Sequence, residues 1–177
     1  MRIISGKYKG RMVEGFQLEG VRPTKGLVRE SIIGTIQNDL MGASVLDLFA
    51  GTGLMGLEMV SNGADYLVLN DHQTHQTLLN NIKNMDVNIM VYSDEAINCL
   101  KKLAKSNISF DIIFIDPPYF YYNHNKIIKM IEEKELLNDN GWLIIELDNK
   151  EIITQSKFKE IKLKKYGNTK VIFYRNI

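Results

Sequence analysis

The chain has little cysteine, little proline and almost no net charge. Its 177 residues include one cysteine and three prolines, and the formal net charge at pH 7 is +1. A single cysteine, Cys99, excludes an internal disulfide framework and is typical of a reducing compartment. We see no apolar run long enough to span a membrane and no signal-peptide pattern at the start. These absences predict a cytoplasmic protein with no membrane association.

The composition is that of an ordinary globular protein. Hydrophobic residues make up 45% of the chain and charged residues 24%, both of which are usual for a folded domain. A chain of this length buries a full core without disulfides or metals. We therefore predict a single domain over residues 1–177, without a linker, an internal repeat or a low-complexity segment.

The small net charge hides an uneven distribution. Basic residues predominate in 1–30 at Arg2, Lys7, Lys9, Arg11, Arg22, Lys25 and Arg29. They predominate again in 151–177 at Lys157, Lys159, Lys162, Lys164, Lys165, Lys170 and Arg175. A basic face of this kind suits a phosphate backbone, and we favour nucleic acid for the N-terminal set. For the C-terminal set, lysines that protect an edge strand from aggregation are the stronger alternative.

The hydrophobic pattern alternates between strand and helix periods along most of the chain. A small hairpin is predicted at 2–5 and 11–16, followed by a helix capped by Thr24 that runs to about Leu40. Strands are predicted at 45–49, 66–69, 87–92, 110–115, 141–147, 158–163 and 170–174. Helices are predicted between them at 54–61, 73–84, 94–105 and 125–137. This order predicts an α/β fold with a mostly parallel seven-stranded sheet and a C-terminal antiparallel hairpin.

Two of the three prolines lie together in Asp116-Pro117-Pro118-Tyr119, directly after the predicted strand at 110–115. Proline fixes φ and lacks an N–H, so neighbouring carbonyls stay available as acceptors. Asp116 and the Pro117 carbonyl are then placed to accept the two hydrogens of one planar amine, while Tyr119 stacks on its ring. The pattern indicates a site for an exocyclic amine of a nucleobase. A proline-rich turn after a core strand is the alternative.

A glycine-rich loop, Gly51-Thr52-Gly53-Leu54-Met55-Gly56, lies between a predicted strand and a predicted helix. Glycine lets the backbone approach a ligand, and the helix N-terminus presents free N–H groups. Asp71 follows about twenty residues later, where a ribose-binding acid is expected. The loop predicts an adenosine-containing cofactor. A dinucleotide needs a substrate domain for which this chain has no room, so S-adenosylmethionine is favoured.

These motifs resemble those of a known enzyme family. The run from Val45 to Gly53, together with Asp116 to Tyr119, is similar to the amino-methyltransferases with a Rossmann-like class I fold. The start of the chain, with Arg22-Pro23-Thr24 and Val28-Arg29-Glu30, resembles the bacterial RsmD family, which methylates a guanine N2 in 16S ribosomal RNA. The resemblance covers nearly the whole chain. It implies an N-terminal hairpin extension at 1–23 that contacts RNA and a catalytic core at 24–177.

The resemblance also implies a role for each matching residue. The catalytic residues would be Asp116, Pro117 and Tyr119. The cofactor-binding residues would be Asp47, Phe49, Gly51, Gly53, Asp71 and Asp94, with Asp94 accepting from the adenine amine. The substrate-binding residues would be Arg2, Lys7, Lys9, Arg11, Arg22, Thr24, Arg29 and Pro118. The partner would be 16S ribosomal RNA within a small subunit or its assembly intermediate, with no obligate protein partner.

The chain departs from the family pattern at one position of the predicted ribose site. The family usually has glutamate two places before Asp71, where this chain has Leu69, so Asp71 or Asn70 is expected to bind the ribose. The histidines at 72, 75 and 124 show no ligand spacing, and no metal is predicted. Phe120, Tyr121 and Tyr122 fit base stacking and loop packing equally well. Alternative functions are adenine-N6 methylation of DNA or RNA, methylation of a small molecule, and RNA binding without catalysis.

Overall fold

Strands and helices alternate along most of the chain, as the hydrophobic pattern predicts. A computed structural model describes residues 1–15, 26–154 and 156–177. The strands are β1 (Ser44–Asp47), β2 (Tyr66–Asn70), β3 (Asn88–Tyr92), β4 (Phe110–Ile115), β5 (Leu137–Asp148), β6 (Lys159–Tyr166) and β7 (Thr169–Arg175). The α-helices are α1 (Gly26–Ile36), α2 (Leu54–Ser61), α3 (His75–Asn81), α4 (Ala96–Lys105) and α5 (His124–Glu133). A short 3₁₀ turn at Gln37–Asp39 follows α1.

All seven strands belong to one sheet in the order β3-β2-β1-β4-β5-β7-β6. The first five strands pair in parallel, and β7 runs antiparallel to both β5 and β6. The order reverses between β1 and β4, which is the point where open parallel sheets bind ligands. The predicted Rossmann-like sheet with a closing antiparallel hairpin is confirmed.

Each face of the sheet packs against its own helices because successive side chains of a strand point to opposite faces. On the first face, Val45, Phe114, Ile144 and Phe173 join a core with buried residues of α1, α2 and α3. On the second face, Leu46, Ile113, Ile145 and Ile172 pack with α4 and α5. Cys99 of α4 is buried in that second layer. Burial raises the pKa of its thiol to about 12.

Several predicted boundaries are wrong by a few residues. The helix predicted at 125–137 ends at Glu133, since Glu135 adopts a left-handed φ of 51° that no helix continues. The chain reverses there, and Leu137 already pairs with Phe110 at the start of β5. Likewise α3 ends at Asn81, shortly before Asn84 with a φ of 59°. In both places one residue with positive φ ends the helix.

The N-terminal hairpin is smaller than predicted. Within residues 1–15 it consists of one antiparallel bridge, Arg2 to Met12, with Ile3 N–H donating to the Arg11 carbonyl at 3.0 Å. Arg22, Thr24 and the predicted start of the first helix lie outside the described residues. Within the described parts of the chain, no helix is long and apolar enough to cross a membrane.

Candidate active site

A pocket of about 600 Å³ opens at the carboxyl ends of the central strands. Loops after β1, β2, β4 and β5 line it, together with α1 and the turn between β6 and β7. Parallel strands present their carboxyl ends at one edge of the sheet, and the free N-terminus of α2 faces the same edge. The glycine loop and the Asp116–Tyr119 segment are therefore brought to one cavity.

The first two glycines of the loop, Gly51 and Gly53, have different tasks. Gly51 has a φ of 55° and lines the pocket, and its N–H donates to Asp71 Oδ2 at 3.0 Å. Gly53 has a φ of 80° and caps α2. A Cβ on Gly53 would lie 3.0 Å from Leu78 and 3.2 Å from Leu69, so this residue faces the core. Gly53 thus shapes the turn, whereas Gly51 is the glycine that borders the cavity.

Asp47, at the end of β1, is a buried acid at the floor of the pocket. Its Oδ2 accepts the N–H of Gly56, in the first turn of α2, at 3.1 Å. The pKa of Asp47 is raised to about 8, chiefly by burial; the Gly56 hydrogen bond lowers it, and the charges of Asp116 and Asp71 add to the rise. Cofactor binding by Asp47 stays a prediction.

Asp71, which follows β2, accepts hydrogen bonds from backbone N–H groups. Besides Gly51, the Asp71 carboxylate accepts the N–H groups of Gln73 at 2.9 Å and Thr74 at 3.1 Å. Asn70 is buried and bridges the Leu48 and Asp94 carbonyls, at 3.1 Å and 3.0 Å. Asn70 is consequently fixed by the sheet. Of the two residues expected to bind the ribose, only Asp71 lines the pocket.

Asp94, the predicted acceptor for the adenine amine, forms a salt bridge with Lys102. Lys102 Nζ donates to both oxygens of Asp94, at 2.7 Å and 2.8 Å. The neighbouring Glu95 lines the pocket instead, and its carboxylate lies 3.5 Å from Nε2 of His72, which also lines it. Sequence reasoning missed Glu95 and assigned His72 to surface or packing. An adenine contact by Asp94 stays a prediction.

Acidic side chains dominate the charged groups that line the pocket. They are Asp47, Asp71, Glu95, Asp116, Glu146, Asp148 and Glu151. Carboxylates in a concave site focus a negative potential, which attracts cations and repels phosphates. The electrostatics of the cavity therefore favour a cationic ligand over one carrying a pyrophosphate.

The Asp116–Tyr119 segment forms one wall of the pocket. Asp116, Pro117, Pro118 and Tyr119 all line it. The Pro118 carbonyl accepts the Tyr121 N–H at 2.9 Å, which closes a turn, whereas no described residue donates to the Pro117 carbonyl. Tyr119 is 47% exposed at the mouth. The pocket wall therefore contains the Pro117 carbonyl as an acceptor next to Asp116 in the chain, and the Tyr119 ring lies in the same wall.

The aromatic run after this segment divides into packing and exposed rings. Tyr121 packs edge-on against Phe49, with the ring centroids 4.9 Å apart, and both residues line the pocket. Phe120 and Tyr122 are 79% and 73% exposed. The sequence left open whether these rings stack on bases or pack the loop. Tyr121 packs against Phe49, whereas Phe120 and Tyr122 present exposed ring surface.

The tip of the N-terminal hairpin, with Lys7 and Lys9, docks at the C-terminal end of α2. Lys7 N–H donates at 2.7 Å to the carbonyl of Ser61, the last residue of α2. The hairpin tip with Lys7 and Lys9 therefore lies roughly 10 Å along α2 from the end that borders the pocket. Contact of Lys7 and Lys9 with RNA stays a prediction, and the structure puts any such contact toward the C-terminal end of α2.

The three described arginines of the predicted substrate set, Arg2, Arg11 and Arg29, contact other groups of the protein. Arg11 donates to the carbonyls of Asn81, at 3.2 Å, and Lys83. Arg2 donates to the Gly10 carbonyl at 3.3 Å. Arg29 is buried, lies 3.6 Å from Glu58 and lines the pocket. Contact of these residues with RNA stays a prediction, and Arg29 is the member that the fold brings to the cavity.

Sequence reasoning also missed Glu146 and the turn between β6 and β7. Glu146 comes near the end of β5, and Tyr166 to Thr169 cover the same side of the cavity. Asp116 was found as a polar residue that directly follows an apolar run, and Glu146 follows the apolar run Trp142–Ile145 in the same way.

Within the described residues, no group of three His, Cys, Asp or Glu side chains could hold a metal ion.

The sheet order and the pocket at its switch point define a Rossmann-like class I methyltransferase fold. Residues 1–175 match the family model described as Conserved hypothetical protein 95, and the chain belongs to this family. A relative from Buchnera aphidicola, the ribosomal RNA small subunit methyltransferase D, is 33% identical over 94% of this chain and 87% of its own length. The resemblance to the RsmD family is thereby confirmed.

Solved structures show the same fold. Escherichia coli yhhF has a TM-score of 0.85 at 27% identity, and the match covers 99% of this chain and 97% of that one. SMU.776, crystallised in complex with SAH, has a TM-score of 0.68 at 19% identity and is covered over 49% of its length. The second likeness supports the fold alone.

Proposed function

We propose that this chain is an S-adenosylmethionine-dependent ribosomal RNA methyltransferase that methylates the N2 amine of a guanine in 16S ribosomal RNA. The observation that carries the proposal is the cavity shared by the glycine loop and the Asp116–Tyr119 wall. The small-subunit methyltransferase relative supports ribosomal RNA as the substrate class. The two parts of the cavity account for the methyl donor and the acceptor amine separately.

The first part suits the methyl donor. S-adenosylmethionine carries a sulfonium and an ammonium group, and the acid-lined cavity favours such a cation. Gly51 lets the ligand approach the backbone, while Asp71 fixes the loop by accepting its N–H at 3.0 Å. Asp47 would face the ammonium group from the pocket floor. An NAD-type cofactor would bring two phosphates against the same carboxylates.

The second part suits the acceptor amine. The lone pair of an exocyclic guanine amine is delocalised into the ring, so the amine is a poor nucleophile. Asp116 and the Pro117 carbonyl can each accept one of its hydrogens, which draws the nitrogen toward a tetrahedral shape and localises the pair. Tyr119 stacks on the ring and holds its plane. Positioning of this kind lowers the barrier by up to ~7–11 kcal/mol in ideal cases.

The chemical step follows directly. The nitrogen pair forms the new N–C bond as the sulfonium S–C bond breaks, and the sulfur leaves as a neutral thioether. The methylated nitrogen then carries a positive charge and releases a proton to the Asp116 carboxylate, from which water removes it. Asp116 therefore stabilises developing positive charge and needs no unusual basicity.

The target base must leave its stack to enter this pocket. Single-stranded loops and flipped bases satisfy that condition, and exposed aromatic rings help to receive them. We propose that residues 1–177 act as one methyltransferase domain, with 1–23 contacting RNA on the small subunit or its assembly intermediate. Lys7 and Lys9 would then contact phosphates at a distance from the catalytic pocket.

The proposal is tested by nucleoside analysis of the product. The purified chain is incubated with S-adenosylmethionine and with small subunits, 16S ribosomal RNA or DNA from cells that lack this protein. Mass spectrometry of the digested nucleosides should show N2-methylguanosine from one of the two ribosomal substrates and no methylated DNA base. Asp139→Asn, an exposed substitution outside the pocket, serves as the matched control and should leave the yield unchanged.

The alternative functions predict different products. Methylation at adenine N6 would replace the guanine assignment, and methyl transfer to DNA would replace the RNA assignment. RNA binding without any methylated product, by a chain that does not bind the cofactor in calorimetry, would overturn the enzymatic proposal as a whole.

A further inference from the structure

A second carboxylate lies next to Asp116 in the register of the sheet. Strands β4 and β5 are parallel neighbours, and Ile115 pairs with Ile145. Asp116 directly follows β4, and Glu146 directly follows Ile145 within β5. Continuation of this register by one residue places the two next to each other, at the ~4.8 Å spacing of neighbouring strands. Both line the pocket.

The two carboxylates also share one face of the sheet. Side chains alternate along a strand, so Asp116 follows the direction of Phe114, and Glu146 follows that of Ile144. Phe114 and Ile144 both point to the face covered by α1 and α2. Glu146 is consequently a pocket residue positioned by a rigid strand, and such residues orient ligands more accurately than loop residues do.

The turn between β6 and β7 encloses this side of the cavity. β7 pairs antiparallel with β5, so that Glu146 lies opposite Val171, and Tyr166 to Thr169 line the pocket beside it. Partial exclusion of water strengthens a hydrogen bond made there and makes a mismatched polar contact more costly. Position 146 is therefore suited to discriminate between bases.

Guanine and adenine differ next to their amines. Beside its N2 amine, guanine carries an N1–H donor that points in nearly the same direction. Adenine carries beside its N6 amine an N1 lone pair, which is an acceptor. A carboxylate adjacent to the one that holds the amine accepts the guanine N1–H, but it repels the adenine lone pair.

We infer that Glu146 is the residue that selects guanine, by accepting its N1–H while Asp116 and the Pro117 carbonyl hold the N2 amine. This inference rests on the proposed function and adds the basis of its specificity. Glu146 takes no part in the methyl transfer itself. Its replacement is therefore expected to change the choice of base more than the binding of the cofactor.

The test uses 2-aminopurine, a base that keeps the C2 amine but has an N1 acceptor in place of the N1–H. Full-length 16S ribosomal RNA is assembled by ligation with guanine or 2-aminopurine at the mapped target position, and kcat/KM is measured for both. The natural chain should prefer guanine by at least ~10²-fold, since a site built around a donor rejects an analogue that lacks it. In Glu146→Gln the preference should fall by at least ~10-fold, because the amide donates to the N1 acceptor.

The controls separate recognition from packing. Glu146→Asp keeps the carboxylate, so the rate should fall while the preference for guanine stays. Glu160→Gln, on the exposed edge strand β6, should change neither quantity. Titration with S-adenosylhomocysteine and thermal unfolding verify that each variant binds the cofactor product and folds.

Three results would contradict the role of Glu146 in selecting guanine. An unchanged preference in Glu146→Gln, an equal loss of preference in Glu146→Asp, or a natural chain that accepts both bases equally would each overturn the inference. If Glu146→Gln does not fold, the Glu146→Asp variant and the two substrates still decide. Absence of guanine N2 methylation by the natural chain would instead overturn the proposed function.

Discussion

The N–H of Gly56, in the first turn of α2, donates to the carboxylate of Asp47 at 3.1 Å. This contact links the floor of the pocket to the helix that follows the glycine loop. A helix N-terminus favours a negative charge, but burial opposes it and raises the pKa of Asp47 to about 8. At neutral pH the carboxyl group of the free protein is therefore largely protonated.

The first prediction concerns this proton. A cationic cofactor favours the ionised carboxylate, so binding at pH 7 should release close to one proton. Affinity should rise between pH 6 and pH 8, by up to tenfold per pH unit. Calorimetry in buffers of different ionisation enthalpy measures the release, and Asp47→Asn should abolish it. Equal proton release by the natural chain and the variant would contradict this role of Asp47.

The second prediction concerns stability without cofactor. The folded-state pKa of Asp47, about 8, lies well above the ordinary value of an aspartate, so the folded protein binds the proton more tightly than the unfolded chain. Stability should fall as pH rises from about 4 to about 8, by up to ~1.4 kcal/mol per pH unit. Asp47→Asn keeps an acceptor for Gly56 and removes this loss. Its Tm should exceed that of the natural chain by several degrees at pH 7 and by little near pH 4.

The third prediction concerns the acceptor amine. Asp116→Ala removes one acceptor from the amine but leaves the glycine loop intact. Methyl transfer should fall by at least ~10²-fold, the usual scale for losing a transition-state contact. Cofactor binding in calorimetry should stay within the range of the natural chain. Substantial activity in this variant would show that another group holds the amine.

The fourth prediction separates the aromatic residues after the Asp116–Tyr119 segment. Phe120→Ala and Tyr122→Ala remove exposed rings and should weaken RNA binding by up to ~1–3 kcal/mol for each stacked base. Their Tm should hardly change. Tyr121→Ala removes the ring packed 4.9 Å from Phe49 and should lower the Tm. Filter binding and thermal unfolding measure the two effects, and the reverse pattern would assign the stacking to Tyr121.

The fifth prediction concerns the docking of the N-terminal hairpin on α2. Gly6 and Gly10 both have positive φ, 77° and 86°. A Cβ on Gly6 would lie 1.9 Å from the Ser61 carbonyl oxygen, whereas nothing lies within 4 Å of one on Gly10. Gly10→Ala should cost about 1–2 kcal/mol for the left-handed backbone. Gly6→Ala should cost clearly more, and denaturant unfolding of the two variants isolates the contact.

Much of the fold was readable from local patterns. The prediction for β4 at 110–115 and that for α2 at 54–61 agree with the structure to the residue. Apolar runs and glycine turns act over short distances, so a linear pattern contains them. The end of α5 was missed because the positive φ of Glu135 is unusual for glutamate, and its side chain gives no signal of it.

The sequence by itself determined the order of strands and helices, the glycine loop at Gly51 and the Asp116–Tyr119 segment at the end of β4. These features depend on residue types that are close along the chain. Only the tertiary structure decided that β4 and β5 bring Asp116 and Glu146 to one pocket, that Arg11 binds protein carbonyls and that the backbone of Lys7 docks at the end of α2. Those relationships join residues from separate elements, and sheet register and helix packing, which no local pattern specifies, bring them together.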